Sequence, residues 1–244
     1  MNRLRGIVFL IWMYGLILIL GLLFLPVLAL PISWARWPVD LWLKMMFWGI
    51  RVLLGVRIVV EGREHIPAGG VLIASKHQSM FDVLIPWQLF SFPALILKQE
   101  LAWLPVFGWY AMKLKNVAID RKGGAGALRK MVREAADRAA NERQILIFPE
   151  GTRVLPGAKV PYKSGVAALY KAMNVPCVPI ALNSGLCWPA HGLNFRPGTI
   201  IVRVLPPIAS GLDRHEFMQQ LEHSIETASN ELSQRTSPKQ NKIA

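Results

Sequence analysis

Asn116-Val-Ala-Ile119, the segment from Gly124 to Arg143, and Ile145-Leu-Ile-Phe148 together decide how this chain folds. In the middle segment Leu128, Met131, Val132, Ala135, Ala136 and Ala139 recur at i, i+3, i+4, i+7, i+8 and i+11, which is one face of a helix. The flanking runs are short and apolar, so the three pieces read as strand, helix, strand. The same texture spreads in both directions. Arg57 to Val60 and Val71 to Ala74 read as strands on either side of the turn Pro67-Ala-Gly-Gly70. Met80 to Phe90 opens as a helix that Pro86 interrupts or kinks, and Ala94 to Leu97 is a further strand. Ser164 to Met173 reads as a helix, and Cys177 to Leu182 and Thr199 to Leu205 as strands. A terminal amphipathic helix, Asp213 to Leu232, turns Phe217, Leu221, Ile225 and Leu232 inward, and a polar tail follows at 233–244. Alternating strands and helices of this kind make an α/β domain, expected over 57–232.

Residues 1–56 have another character. From Gly6 to Ala35 there are 30 residues without a charge, and Gly6 to Leu25 contains no proline. Twenty helical residues rise about 30 Å, roughly the thickness of a hydrocarbon core. A signal peptide also begins with basic residues such as Arg3 and Arg5, but this run is too long for its apolar region and no small-x-small cleavage site follows it. After Pro26 and Pro31 a second apolar stretch, Val39 to Val56, carries Asp40, Lys44 and Arg51 within about 40° of one another on a helix. A narrow polar stripe on a wide apolar cylinder suits a helix lying among lipid headgroups; packing on the domain is the competing reading. Trp12, Trp34, Trp37, Trp42 and Trp48 all fall in this region, and indoles favour membrane interfaces. The expectation is a membrane anchor of one apolar and one interfacial helix.

The net charge of +13 is unevenly placed: Lys98 to Lys171 holds 14 Lys or Arg against 6 Asp or Glu. Such a surface attracts phosphorylated ligands, anionic lipid or nucleic acid. The apolar segment favours the first two, and no nucleic-acid motif with interleaved aromatics is present. Cys177 and Cys187 lie among apolar residues in no metal-ligand pattern, which reads as two buried thiols in a reducing compartment.

Two short strings carry the residues able to do chemistry. In Lys76-His77-Gln78-Ser79-Met80-Phe81-Asp82, His77 follows an apolar strand, at the strand end where α/β proteins place ligands. On a continuous helix the spacing to Asp82 would part the two side chains by about 140°. With His77 in a loop and Asp82 in the next turn, the carboxylate reaches back to one ring nitrogen and frees the other as a base. A capping Asp with an unrelated histidine is the alternative. In Phe148-Pro149-Glu150-Gly151-Thr152-Arg153, Pro149 ends a strand, Gly151 permits a tight turn, and Arg153 can grip a phosphate at two points. An ordinary charged turn is the alternative there. His65, His191, His215 and His223 have no partner at telling spacing and read as surface or structural.

These strings resemble the signature blocks of the glycerolipid acyltransferases. His77 and Asp82 match the family's His-x4-Asp block, although Lys76 stands where Asn is usual, a departure expected to bear on substrate contacts. Lys115 to Arg121 keeps only Ile119, Asp120 and Arg121 of the second block, Lys115 replacing its Gly and Ala118 its Phe. Phe148 to Arg153 matches the third block completely, and Val175 to Ile180 resembles the fourth, with its paired prolines. Lys98-Gln-Glu-Leu101 and Pro105-Val-Phe-Gly108 resemble the stretch between the first two blocks, so the likeness covers roughly residues 57–210 in consistent order.

The resemblance implies an α/β domain with a mixed sheet flanked by helices, behind a membrane-embedded two-helix segment. It implies transfer of an acyl group from a thioester, acyl-CoA or acyl-acyl-carrier protein, to the sn-2 hydroxyl of 1-acyl-glycerol-3-phosphate, with no further cofactor and no metal. Another lysolipid or glycerol-3-phosphate is the nearest alternative acceptor. His77 and Asp82 would be the catalytic pair. Arg121 and Arg153 would hold the phosphate, Glu150, Gly151 and Thr152 would shape that pocket, and Lys163, in a Lys-x-Gly that often follows the third block, is a further phosphate candidate. Two other classes stay in view. A lipase or phospholipase needs a nucleophile, and neither Ser79 nor Ser164 lies in G-x-S-x-G. A non-catalytic membrane-binding protein would have no use for the His77–Asp82 pair. A single span would part Arg3 and Arg5 from the basic domain, which the positive-inside tendency disfavours. A shallow hairpin in the cytoplasmic leaflet of the cell membrane is therefore expected, with the amino terminus and catalytic domain on the same side.

Overall fold

The computed structural model describes residues 2–236. Two helices come first, α1 (Asn2–Leu23) and α2 (Ile32–Val52), joined by a 3-10 turn at Leu25–Ala29 with Pro26 at its start. Then follow β1 (Val56–Glu61), β2 (Leu72–Ser75), the short α3 (Pro86–Leu89), β3 (Pro93–Lys98), α4 (Gln99–Ala102), α5 (Phe107–Lys113) and β4 (Val117–Ile119). The chain continues through α6 (Gly124–Ala140), β5 (Gln144–Ile147), α7 (Gly165–Met173), β6 (Cys177–Leu182), β7 (Gly198–Val204) and α8 (Arg214–Thr236). The strands form one sheet in the order β1-β7-β6-β2-β5-β3-β4. From β6 to β4 all five strands are parallel; β7 runs antiparallel to β6, and β1 is parallel to β7. The sheet is therefore mixed and flanked by helices, as the resemblance implied.

Side-chain alternation assigns the two faces. Leu72, Ala74, Ile145 and Cys177 point into one core with Met131 and Ala135 of α6, Val166 and Leu169 of α7, and Phe217, Leu221 and Ile225 of α8. Ile73, Leu146, Val178 and Ile180 point into the opposite core, and the helices that meet them are α1 and α2. Phe9 of α1 and Met46 and Ile50 of α2 are fully buried there. Truncating any one of these three to Ala would cost about 2–5 kcal/mol. The segment read as an anchor thus forms a layer of the same fold, with no break in packing before the domain that follows.

The contacts of α1 run along most of its length. A side chain at Gly6 would strike Phe195, Phe9 sits edge-on to Trp188 at 5.1 Å, and Trp12 Nε1 donates to the Met45 carbonyl of α2 at 3.2 Å. At the far end the Tyr110 hydroxyl of α5 donates to the Gly21 carbonyl at 3.2 Å. A Cβ on Gly21 would lie 2.1 Å from Val106 Cγ1, so only glycine admits this approach. Val106 itself has φ 64° and ψ −67°, the middle of a three-residue turn closed by Phe107 N–H to the Pro105 carbonyl at 2.7 Å.

Several boundaries differ from the sequence reading. α2 begins at Ile32, seven residues before Val39, and runs through Pro38. Pro38, the seventh residue of the helix, removes one helical hydrogen bond and crowds the carbonyl one turn back, a cost of about 3 kcal/mol set against the burial of Ala35, Leu43, Met46 and Ile50 on the same helix. Met80 to Phe90 is not one helix: a 3-10 turn at Met80–Val83 is followed by α3, which starts on Pro86. α4 and α5 have no counterpart in the sequence reading, being too short to show a period and split by Pro105 and the Val106 turn. Lys115, where the resemblance expected glycine, holds a left-handed φ of 57°, and Arg138 Nε donates to its carbonyl. α8 runs on to Thr236, past the Leu232 boundary, and the rest of the expected polar tail, 237–244, lies outside the described residues. Among the described residues one helix, over Arg3–Leu23, is long and apolar enough to cross a membrane.

Candidate active site

β2 and β5 are parallel neighbours, and the two chemistry-bearing strings leave their carboxyl ends side by side. His77 lies in the loop two residues beyond β2, and Asp82 in the 3-10 turn that follows, the arrangement the five-residue spacing required. His77 Nδ1 and Asp82 Oδ2 are 3.0 Å apart. Oδ2 also accepts the backbone N–H groups of Gln78 at 2.6 Å and Ser79 at 2.8 Å. Both readings of Asp82 hold together, because Ser79 and Asp82 form a capping box on the turn while the same carboxylate meets the histidine. Two backbone N–H donors on this oxygen already fix it as an acceptor. Nδ1 therefore carries the imidazole proton toward Asp82, and Nε2 is the free ring nitrogen.

The other Asp82 oxygen, Oδ1, accepts the Ser184 hydroxyl at 2.5 Å, and the Ser79 hydroxyl lies 2.9 Å from Ser184 Oγ. Asp82 has no solvent exposure, so these bonds supply what water would have given. Ser184 was missed in the sequence, 102 residues from its partner. No local signal marks it: only the pairing of β6 with β2, with β6 ending at Leu182, brings Ser184 to the same sheet edge. Phe148 was seen only as part of its string. In the structure its ring stacks on the His77 imidazole with centroids 3.8 Å apart and planes 14° from parallel. Hydrogen bond and stacking together fix the ring's direction and its plane, and His77 keeps 13% of its side chain exposed at the edge of the sheet.

The remaining residues read from the sequence divide into surface and interior. Arg121 follows β4 and is exposed; Arg153 follows β5, half-buried, with Nη1 donating to the Ala190 carbonyl at 2.9 Å and its other donors uncommitted among the described residues. β3 alone separates β5 from β4 in the sheet, so these strand ends lie roughly 10 Å apart. Gly151 has φ 68°, a left-handed turn that favours glycine, and the exposed Lys163 lays its stem 3.4 Å from where a Gly151 Cβ would be. Thr152 is exposed beside them. Arg121, Thr152, Arg153 and Lys163 thus share the carboxyl edge of the parallel strands with His77.

Glu150 is different. Its side chain has no exposure, and Oε1 accepts both the His77 backbone N–H at 3.3 Å and the Lys76 ammonium at 3.2 Å. Burial pushes its carboxyl above the ordinary value, against the pull of Lys76 and of the His77 N–H. Lys76, one residue before His77, points to the opposite face, as strand alternation requires, and ends 2.5 Å from Glu226 of α8. The substitution of Lys for the usual Asn is thus spent in the interior and leaves the exposed edge unaltered. Burial also pushes the Tyr162 hydroxyl far up, reinforced by the charges of Glu150 and Glu226, and that hydroxyl donates to Glu226 at 2.9 Å. His65 Nδ1 meets the Val204 carbonyl at 2.9 Å, a structural contact. Cys177 and Cys187 are both buried free thiols, the latter pushed up to about 11 by burial.

Comparison with known proteins converges on one family. The family model described as Acyltransferase matches residues 57–183. A 1-acyl-sn-glycerol-3-phosphate acyltransferase of Pseudomonas aeruginosa is 33% identical over 209 residues, covering 86% of this chain and 81% of the relative. The human 1-acyl-sn-glycerol-3-phosphate acyltransferase alpha is 32% identical over 222 residues, covering 87% of this chain and 78% of the relative. Among solved structures, the 1-acyl-sn-glycerophosphate acyltransferase PlsC of Thermotoga maritima superposes with a TM-score of 0.74, covering 98% of this chain and 100% of that one at 22% identity. At that identity the superposition speaks for the fold, and the fold agrees.

Proposed function

The chain belongs to the acyltransferase family, and we propose that it moves an acyl group from a thioester to the sn-2 hydroxyl of 1-acyl-glycerol-3-phosphate, giving phosphatidate. The observation that carries the mechanism is the His77–Asp82 pair, its proton on the Asp82 side and Nε2 free beside a basic sheet edge. Nε2 takes the proton of the acceptor hydroxyl as that oxygen attacks the thioester carbonyl. Asp82 keeps the ring oriented and stabilises the imidazolium while it exists. The proton then passes to the departing thiolate, so the base is restored at the end of one turnover. General-base help of this kind is commonly worth about 10²–10⁴-fold.

Acyl transfer goes directly from donor to acceptor. The serine hydroxyls near the pair support this, since those of Ser79 and Ser184 are engaged with each other and with Asp82. Ser164 opens α7 and, like Ser79, lies outside a nucleophile elbow. Arg121, Arg153 and Lys163 are the residues we assign to the acceptor phosphate. Arginine suits this place because its planar fork makes two parallel bonds to phosphate oxygens. Glu150 and Gly151 set the turn that aims Arg153. Acyl-CoA and acyl-acyl-carrier protein present the same thioester carbonyl to His77, and the basic edge suits the acidic character of either carrier.

The protein works on the membrane surface as a monotopic enzyme, with its catalytic domain on the cytoplasmic side. α1 supports this reading because it is held against the domain from Gly6 to Gly21 and so has no freedom to cross alone. Its outer side bears Leu18, Ile19, Leu22 and Leu23, and Trp34 and Trp37 of α2 are exposed with them. α5 packs on the end of α1, and Trp103, Leu104, Trp109 and Met112 are likewise exposed. An apolar surface of this extent, with Lys98, Lys113 and Lys115 on the segments flanking Trp103, Leu104, Trp109 and Met112 in the chain, suits the acyl region of an anionic leaflet. A single-chain lipid then reaches His77 from the leaflet.

The test is an assay of purified protein with lysophosphatidate, other lysolipids and glycerol-3-phosphate, each with acyl-CoA and with acyl-acyl-carrier protein. Phosphatidate from lysophosphatidate, with at least one donor, is the expected product. Preference for an unphosphorylated acceptor would refute the assignment of Arg121, Arg153 and Lys163.

A further inference from the structure

Directly behind the site lies a buried ionic cluster that the transfer chemistry does not use. Lys76 has 2% of its side chain exposed, yet carries an ammonium 3.2 Å from Glu150 and 2.5 Å from Glu226. Glu226 belongs to α8 and is tied on its other side by the Tyr162 hydroxyl at 2.9 Å. Two carboxylates from distant parts of the chain therefore converge on one interior cation. Burying these groups is costly, and hydrophobic residues would fill the space with less penalty. Glu150 Oε1 explains what the cluster reaches, because that oxygen also accepts the His77 backbone N–H at 3.3 Å. Glu150 Oε2 has no hydrogen-bond partner among the described residues, so Oε1 carries the whole connection.

We propose that Lys76 is a positioning residue for His77: its ammonium, anchored by Glu226 and Tyr162 on α8's side of the sheet, holds the Glu150 carboxylate where it fixes the His77 main chain. The cluster thereby ties the terminal helix to the base. The groups that face Lys76 are Glu150 from the turn after β5, Glu226 from α8 and Tyr162 from the loop before α7; Glu222, His223 and Lys159 stand further out, lining the same groove of about 340 Å³ as Glu226. Without the ammonium, burial of Glu150 is opposed only by backbone N–H groups, that of His77 among them, and its carboxyl rises further. More of it is then protonated at a given pH, and a protonated carboxyl is the weaker acceptor for the His77 N–H. Activity should accordingly be lost at higher pH on the acid side than in the unaltered protein.

The proposal rests on His77 being the base, and the experiment separates the two. Lys76→Met should lower kcat on the order of 10–100-fold, the scale of a small misplacement of a catalytic group. KM for acceptor and donor should stay within about threefold, because neither substrate touches Lys76, and the acid limb of kcat should move to higher pH. Lys76→Met/Glu226→Leu replaces the ion pair by apolar volume and serves where the single variant does not fold. It should regain thermal stability while kcat stays low and the acid limb stays displaced. If kcat and the acid limb return with stability, Lys76 is only a structural residue and the proposal falls. An inactive unaltered protein would instead refute the acyltransferase reading itself.

Discussion

Replacing Asp82 by Asn removes one charge and almost nothing else. Oδ2 faces three N–H donors, from His77, Gln78 and Ser79, so the Asn oxygen must take that place and its amino group must take the place of Oδ1. The groups there are hydroxyls of Ser184 and Ser79, which rotate to accept instead of donate. The ring therefore keeps its partner and its stacking on Phe148. What is lost is the attraction between carboxylate and imidazolium. With charge centres about 4 Å apart and an effective dielectric near 20, that attraction is about 4 kcal/mol. At about 1.4 kcal/mol per factor of ten, Asp82→Asn should lower kcat by about 10²–10³. Both KM values should hold within about threefold, since binding precedes the charge. Asp82→Ala is a different perturbation, because it orphans three buried N–H groups at about 1–3 kcal/mol each and should unfold much of the protein. The assay follows thiol release from acyl-CoA, with circular dichroism to count folded protein. An Asn variant with kcat within threefold of the original would refute the role given to the charge.

Arg153→Lys keeps the charge but not the fork, and KM for the phosphorylated acceptor should rise about tenfold with KM for the thioester unchanged; the reverse pattern would move Arg153 to the donor. Gly21→Leu must push against Val106 and should detach the end of α1 from α5, measured as lost protection of Gly21–Phe24 amides in hydrogen exchange. Burial alone would raise the Glu61 carboxyl, but hydrogen bonds from Arg203 and Arg235 hold it below its ordinary value. Its contribution to stability is therefore present above the unfolded-state value and lost as pH falls through the lower folded one. Thermal scans of Glu61→Gln against the unaltered protein should differ near pH 7 and converge as the pH falls through the lowered carboxyl; a difference that does not change with pH would show another cause.

How much of this was legible depends on whether a signal is local. α6 and its two flanking strands stood in the sequence because Leu128 to Ala139 repeats at helical spacing beside apolar runs too short for helices. The His77–Asp82 pair was legible because five residues bring loop and turn together without help from the rest of the fold. α1 was legible as a helix but not in its docking. Phe9, Met13 and Leu16 face a core and Leu18, Ile19 and Leu22 do not, yet nothing in composition separates a side chain bound for a sheet from one bound for lipid. The second apolar stretch, Val39 to Val56, is displaced from α2, Ile32–Val52, because the helix runs through Pro38, which local propensity disfavours and burial of the helix's inner face overrides. Ser184 and Glu226 were invisible for another reason: their partners lie 102 and 150 residues away, and only the strand order brings them to the site.

In the proposed reaction the free nitrogen of His77 deprotonates the lysophosphatidate hydroxyl while the acyl group passes directly from the thioester. One measurement meets it squarely: formation of labelled phosphatidate from acyl thioester and lysophosphatidate, by the unaltered protein and by His77→Ala folded and membrane-bound to the same extent. Steady product is expected from the first and a loss of about 10²–10⁴-fold in the second. Near-normal phosphatidate formation by His77→Ala would contradict it.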